Sequence, residues 1–248
     1  MNKRIYWLDW LRGLAIIFMI IYHMIYQRVI WFNLPATVLD FPVVRFFQLG
    51  AQLLFISISG ISCSFSKSNW RRGGICLGYG LILSLVTYIV APDELIVFGI
   101  LHFLGTAIIL YGLLKVLFAP IKPQIGAPFF LFLFLLAYPL IYKYNYAELM
   151  TCHPFIQLLW EKGCFNLLGF ASPTFSSSDY FPLIPWLFLF LSGTFMGTLL
   201  KERPTPSNPP RVKLPLLTFM GKHSLIIYLL HIPAILALFY GLDLLLSP

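Results

Sequence analysis

The chain has 248 residues, of which 59% are apolar and only 10% charged, and its mean hydropathy is +0.85; a globular chain in water carries about 25% charged residues. So few charges cannot keep this much apolar surface dispersed in water, so the composition excludes a soluble domain and places the chain in a bilayer. The net charge of +8 comes from cations scattered between apolar blocks with no basic face, which argues against a nucleic-acid partner and turns attention to membrane topology.

A helix crosses the hydrocarbon with about 20 apolar residues. Seven runs meet that length in chain order, approximately Tyr6 to Tyr26, Val43 to Phe65, Ile75 to Ala91, Leu95 to Phe118, Ile125 to Tyr142, Phe181 to Leu200 and Ser224 to Leu246. They predict an all-α polytopic membrane bundle in a single domain over residues 1–248. The long connection from Lys143 to Tyr180 holds Cys152, His153, Pro154, Trp160, Gly163 and Ser176 to Ser178. Its apolar stretch Pro154 to Phe170 is too interrupted to span and reads as an interfacial or re-entrant piece. The Pro-rich stretch Arg203 to Pro215 reads as a linker.

Orientation follows from the cations. With the N-terminus in the cytoplasm, thirteen fall on the inner side: Lys3, Arg4, Arg12, Lys67, Arg71, Arg72, Lys115, Lys122, Lys201, Arg203, Arg211, Lys213 and Lys222. Four fall outside, namely Arg28, Arg45, Lys143 and Lys162. The imbalance predicts an N-terminus inside and, with seven spans, a C-terminus outside. Asp9 and Arg12 interrupt the first apolar run and no small-residue cleavage site follows, so the first span is expected to stay as a membrane helix rather than to be a signal peptide. Compact size and the lack of a targeting segment point to a bacterial cytoplasmic membrane.

Ionisable groups inside spans are costly and tend to line internal cavities, so function is sought there. Arg12 and His23 are eleven residues apart, almost three helical turns, which puts both side chains on one face about 16 Å apart along the axis. Asp9 precedes Arg12 by three residues and can pair with it. Snorkelling of Arg12 to the headgroups and an interfacial place for His23 are the bland alternative.

Other spans carry polar stripes. Arg45, Gln48, Gln52 and Ser59 share a face of the second span, where interhelical hydrogen bonding would explain them equally well. Gly99, His102 and Thr106 share one in the fourth, and Ser224, Tyr228 and His231 one in the seventh. Packing is the competing reading for His102 and Tyr228. Gly193 and Gly197 make a Gly-x-x-x-Gly step, while Gly73, Gly74, Gly78 and Gly80 crowd the third span; close helix contact accounts for both, and a homodimer is a further use of the first. Arg71 and Arg72 follow the second span as candidate phosphate ligands or as topology determinants. Cys152 and Cys164 share the outer segment and pair there or stay free; no metal-ligand spacing occurs.

The motif Leu8-Asp9-Trp10-Leu11-Arg12-Gly13-Leu14-Ala15, followed by His23, resembles the opening of the membrane acyltransferase superfamily. Phe98-Gly99-Ile100-Leu101-His102, Phe181-Pro182-Leu183-Ile184-Pro185-Trp186 and Gly221-Lys222-His223-Ser224 through Tyr228 to His231 are more particular. Together they resemble the bacterial DUF1624 proteins, whose domain is shared with the catalytic region of heparan-alpha-glucosaminide N-acetyltransferase, over about Arg4 to Pro233. The resemblance implies acetyl-CoA as cytoplasmic donor and a sugar amine or hydroxyl as outer acceptor. His23 matches the family's first-span histidine and Arg12 its arginine partner. The lysosomal enzyme has more spans and a luminal region absent here, so its heparan acceptor does not transfer.

The spacing then acquires a use. Arg12, with Arg71, Arg72 and Lys222, would hold the CoA nucleotide while the pantetheine arm runs towards His23, a general base or an acetyl carrier. Asp9 lies at the other end of the span, so His102 or Gln52 is the expected partner of His23; Ser59, Tyr228 and His231 complete the expected channel. No metal is expected. The rivals are a small-molecule transporter, which would show paired halves with broken helices, and a non-catalytic membrane scaffold.

Overall fold

A computed structural model describes residues 6–142, 146–202 and 214–246. Lys3, Arg4, Lys143, Arg203, Arg211, Lys213 and most of the Pro-rich linker lie outside the described residues. Helices account for most of the described residues, with no strand among them. The long ones are α1 (Tyr6–Trp31), α2 (Pro42–Phe65), α3 (Asn69–Val90), α4 (Ile100–Phe118), α5 (Pro123–Tyr142), α8 (Leu183–Glu202) and α10 (Ser224–Leu246); the short ones are α6 (Ala147–Met150), α7 (Pro154–Glu161) and α9 (Pro215–Lys222). All seven expected spans are present, each helix long and apolar enough to cross a membrane. Large apolar side chains face outwards along them, as on α3, where Leu81, Leu85, Ile89 and Val90 are all more than half exposed. Such faces are tolerable only in lipid.

Three boundaries differ from the apolar runs by five or six residues, the third helix beginning at Asn69 rather than Ile75. The first helix continues to Trp31. The fourth starts at Ile100 rather than Leu95: the run opens as the end of a 3₁₀ turn at Pro92–Glu94, and Gly99 just before the helix is extended. Phe98 takes a left-handed φ of 58°, which interrupts a right-handed helix and which side chains other than glycine rarely adopt. The first free N–H of α4, on Ile100, is instead met by the Asp179 carboxylate at 2.9 Å. A negative charge at a helix N-terminus is favourable.

The chain forms two compact units. The first comprises residues 1–58 and 205–248, and so holds α1, most of α2, α9 and α10. Its core joins Ile16 and Met19 of α1 to Ala51 of α2, with Phe18, Phe55, Met220, Ile227 and Tyr228 against them. Helix α9 lies on α1 at backbone distance. A Cβ on Gly13 would stand 2.3 Å from the Leu217 carbonyl oxygen, and one on Gly221 would stand 1.9 Å from that of Asp9. The Trp10 indole N–H donates to Thr218 Oγ1 across the same contact at 2.8 Å. The exposed Arg45–Asp40 pair at 2.6 Å adds little, because solvent screens it.

The second unit, Ser59–Pro204, pairs α5 with α8 and α3 with α4. Phe130 stacks on Phe195 at 5.6 Å, and Ser192 Oγ donates to the Ala127 carbonyl at 2.8 Å. The Gly-x-x-x-Gly step is consumed inside the chain: a Cβ on Gly197 would meet the Ile61 carbonyl oxygen at 2.5 Å, and Gly193 lies against Gly60. It therefore gives no independent reason for a dimer. The glycines of α3 divide, since Gly73 and Gly80 touch α4 while Gly74 and Gly78 face open space.

The long connection between α5 and α8 does not span. Its apolar stretch is the amphipathic helix α7 and a 3₁₀ turn at Asn166–Leu168. The segment is tied to itself: the Trp160 indole donates to the Ala171 carbonyl at 2.9 Å, Asn166 Oδ1 accepts from the Ser172 N–H at 2.7 Å, and the Tyr180 hydroxyl donates to the Asn166 carbonyl. Burial, then the neighbouring Tyr142 and Tyr146, push the Tyr180 phenol up, so it stays a neutral donor. Cys152 and Cys164 are both exposed free thiols.

Candidate functional site

Helix α1 carries His23 half-buried above the Met19 layer of the core. Side chains on a helix lean back over the preceding turn, and the His23 ring does so, its Nδ1 lying 2.9 Å from the Met19 carbonyl oxygen. A carbonyl only accepts, so Nδ1 carries the proton and Nε2 the lone pair. The nearest ring to it in this unit is that of His231, from α10, at a centroid distance of 4.6 Å and nearly perpendicular.

His231 is held in the same way. It is 8% exposed, its Nδ1 contacts the Tyr228 carbonyl one turn back at 2.5 Å, and its Nε2 is buried without a hydrogen-bond partner. Pro233 stands two residues on, inside α10. Lacking an N–H, it cannot complete the helical bond to the Leu229 carbonyl, which loosens the backbone turn where His231 folds back. Tyrosines enclose the pair: Tyr22 lies edge-on to His23 at 5.2 Å, Tyr26 at 6.3 Å, and Tyr228 lies 5.5 Å from His231. Tyr22 and Tyr26 were not singled out from the sequence. They flank His23 at helical spacing, but thirteen tyrosines in an aromatic-rich chain hide two that matter.

Arg12 and Asp9 pair as their spacing suggests, Nη1 to Oδ1 at 2.9 Å, with side-chain exposures of 27% and 8%. The guanidinium thus has one edge fixed, and its remaining N–H groups are held in a defined direction. Lys222, at the end of α9, is exposed. Both belong to the unit that holds the two histidines, as does half-buried Gln52.

The other candidates belong to the second unit. Arg71 and Arg72 fall in the first turn of α3, with the Ser68 hydroxyl accepting from the Arg71 N–H at 3.3 Å. Arg71 points outwards, whereas Arg72 is half-buried and donates to Ser59 Oγ at 3.3 Å and to Cys63 Sγ at 3.8 Å. Ser59, expected in a channel, is thereby a partner of Arg72.

His102 is 5% exposed and its Nε2 meets Ser84 Oγ at 3.2 Å. That hydroxyl donates to the Ile96 carbonyl at 2.7 Å. A Cβ on Gly80 would touch the His102 ring at 3.0 Å, so this imidazole is wedged between α3 and α4. We expect Ser84→Ala to lower stability by about 1–3 kcal/mol, since it orphans buried polar groups. A thermal melt in detergent checks this, and an unchanged midpoint would contradict it. Among the described residues no group of His, Cys, Asp and Glu could hold a metal ion.

Seven membrane-length helices, with one unit presenting two adjoining, carbonyl-anchored imidazoles, one buried and one half-buried, and an oriented arginine, define an integral membrane protein with a polar site among its spans. The chain belongs to the heparan-alpha-glucosaminide N-acetyltransferase catalytic family, which matches residues 4–233 of the 248. It is therefore a membrane protein of the acetyltransferase class. No curated protein and no solved structure matches it.

Proposed function

We propose that the protein moves an acetyl group from cytoplasmic acetyl-CoA to a sugar amine or hydroxyl on the outer side of the membrane, with His23 as the residue that meets the acetyl group or the acceptor's proton. The observation that carries this reading is the family match across residues 4–233, which takes in a first-span histidine whose Nδ1 is tied down. A fixed tautomer presents the Nε2 lone pair continuously, which both a nucleophile and a general base require. Imidazole is also the side chain whose ordinary pKa suits proton transfer near neutrality.

The inner-side cations supply the donor site in this reading. Arg12 and Lys222, both in the first unit, are the candidates for the CoA phosphates, for which a planar guanidinium is well suited. In this reading the N-terminus is cytoplasmic and the C-terminus outside, which the thirteen inner-side against four outer-side cations support. The segment between α5 and α8 then faces the acceptor.

The test is calorimetric binding of acetyl-CoA, compared with CoA, to purified protein in nanodiscs. We expect saturable binding that Arg12→Ala weakens about tenfold or more, the worth of a hydrogen bond to a charged group. Removing Arg12 takes an ion-pair partner from the buried Asp9 carboxylate, which is itself destabilising. The Asp9→Asn/Arg12→Ala double variant separates the two effects, because it loses the guanidinium without stranding a charge. No binding by folded wild-type protein would refute the donor assignment.

A further inference from the structure

We propose that His231 is the proton acceptor of this site, so that the two imidazoles divide the work: His23 meets the acetyl carbon and His231 takes the acceptor's proton. The proposal deepens the acetyltransferase reading and rests on it. Its own ground is geometric. His231 comes from the far end of the chain yet lies edge to face with His23 at 4.6 Å. Its Nδ1 is committed to the Tyr228 carbonyl. Its Nε2 is buried and takes no hydrogen bond, although buried polar atoms are nearly always satisfied. What sets His231 apart is that this acceptor atom belongs to a ring lying against that of His23.

The division of labour balances. His23 Nε2 attacks the thioester carbonyl, the N–C bond forms, the C–S bond breaks and its electron pair leaves on sulfur as the CoA thiolate. The ring is then an acetyl-imidazolium, its Nδ1–H still on the Met19 carbonyl. The acceptor amine or hydroxyl attacks the acetyl carbon and passes its proton to His231 Nε2 as the His23 N–C bond breaks and its electron pair returns to His23. The proton on His231 finally neutralises the thiolate. Two positive rings at this separation would repel strongly in a poorly solvated site. On this sequence they never coexist, because the charge leaves His23 as it arrives on His231. Neither histidine forms an ion pair with a carboxylate among the described residues, so the single charge is set by the pair itself.

The experiment is a single turnover with acetyl-labelled acetyl-CoA on wild-type, His23→Gln, His231→Gln and His231→Asn proteins in nanodiscs. It follows free CoA, label on the protein, and decay of that label in glucosamine and in water alone. Water needs no special acceptor site, so the decay step is readable whatever the natural acceptor. For both His231 variants we expect a wild-type burst of CoA, hydroxylamine-sensitive label on the protein, and decay slowed about 10²- to 10⁴-fold, the usual worth of a general base. His23→Gln should give neither burst nor label. Decay within threefold of wild type in the His231 variants would overturn the proposal. So would loss of the burst in variants that still bind acetyl-CoA normally, which would make His231 part of the first step. If folded wild-type protein neither binds acetyl-CoA nor releases CoA, the acetyltransferase reading itself fails, a result distinguishable from the other two.

Discussion

His23→Gln yields a folded membrane protein whose acetyl transfer falls by at least about 10²- to 10⁴-fold, the range for removal of a positioned acid–base group. The fold should survive, because the core of this unit rests on Ile16, Met19 and Ala51 rather than on the imidazole. The variant loses one side-chain contact to the Met19 carbonyl and one edge-to-face ring contact with His231, together worth about 1–3 kcal/mol. Glutamine keeps a polar group of similar reach but has no lone pair basic enough to take a proton at neutral pH and no nucleophilic nitrogen. Labelled acetyl transfer to glucosamine in nanodiscs, on protein of wild-type elution volume, is the check. Activity within threefold of wild type would remove His23 from the site.

Gly221→Ala should abolish the folded protein rather than its chemistry. The new methyl would stand 1.9 Å from the Asp9 carbonyl oxygen, well inside contact distance, and the obstacle is backbone on a long helix that no side-chain rotation relieves. Overpacking commonly costs about 1–3 kcal/mol, and a backbone clash this close belongs at or beyond the top of that range. Separating α9 from α1 would also break the Trp10 to Thr218 hydrogen bond and disturb the turn that holds the Asp9–Arg12 pair. Gly241→Ala in α10 is the control: nothing lies within 4 Å of its added methyl, and alanine is the better helix former by about 1 kcal/mol. We expect Gly221→Ala to leave little monodisperse protein and Gly241→Ala to match or exceed wild-type thermal stability. Equal melting of the two would contradict the close α1–α9 contact.

The spans were legible in the sequence because the bilayer imposes a length and a composition that few other elements satisfy. The Asp9–Arg12 pair was legible because both partners lie one turn apart on a single helix. Positions fixed by distant chain were not. The apolar run before Ile100 looks helical, yet Phe98 turns left-handed and the α4 N-terminus is met by Asp179, about eighty positions on. His102 and Gln52 were the expected partners of His23, and His231 was only one of a stripe on the last span. Periodicity gives the face of a helix but not the neighbour of that face, and the pairing of His23 with His231 follows from α10 lying against α1. Arg72 shows the same limit: adjacent to Arg71 and alike in charge, it turns inwards to Ser59 and Cys63 while its neighbour faces out.

The most direct test of the central claim is release of free CoA from acetyl-CoA by the purified protein in nanodiscs, read as thiol and compared between wild type and His23→Gln. Wild-type protein should release CoA above the spontaneous rate, faster with a sugar amine present, and the variant should not. No thiol from folded wild-type protein, or equal thiol from both, would contradict an acetyltransferase that works through His23.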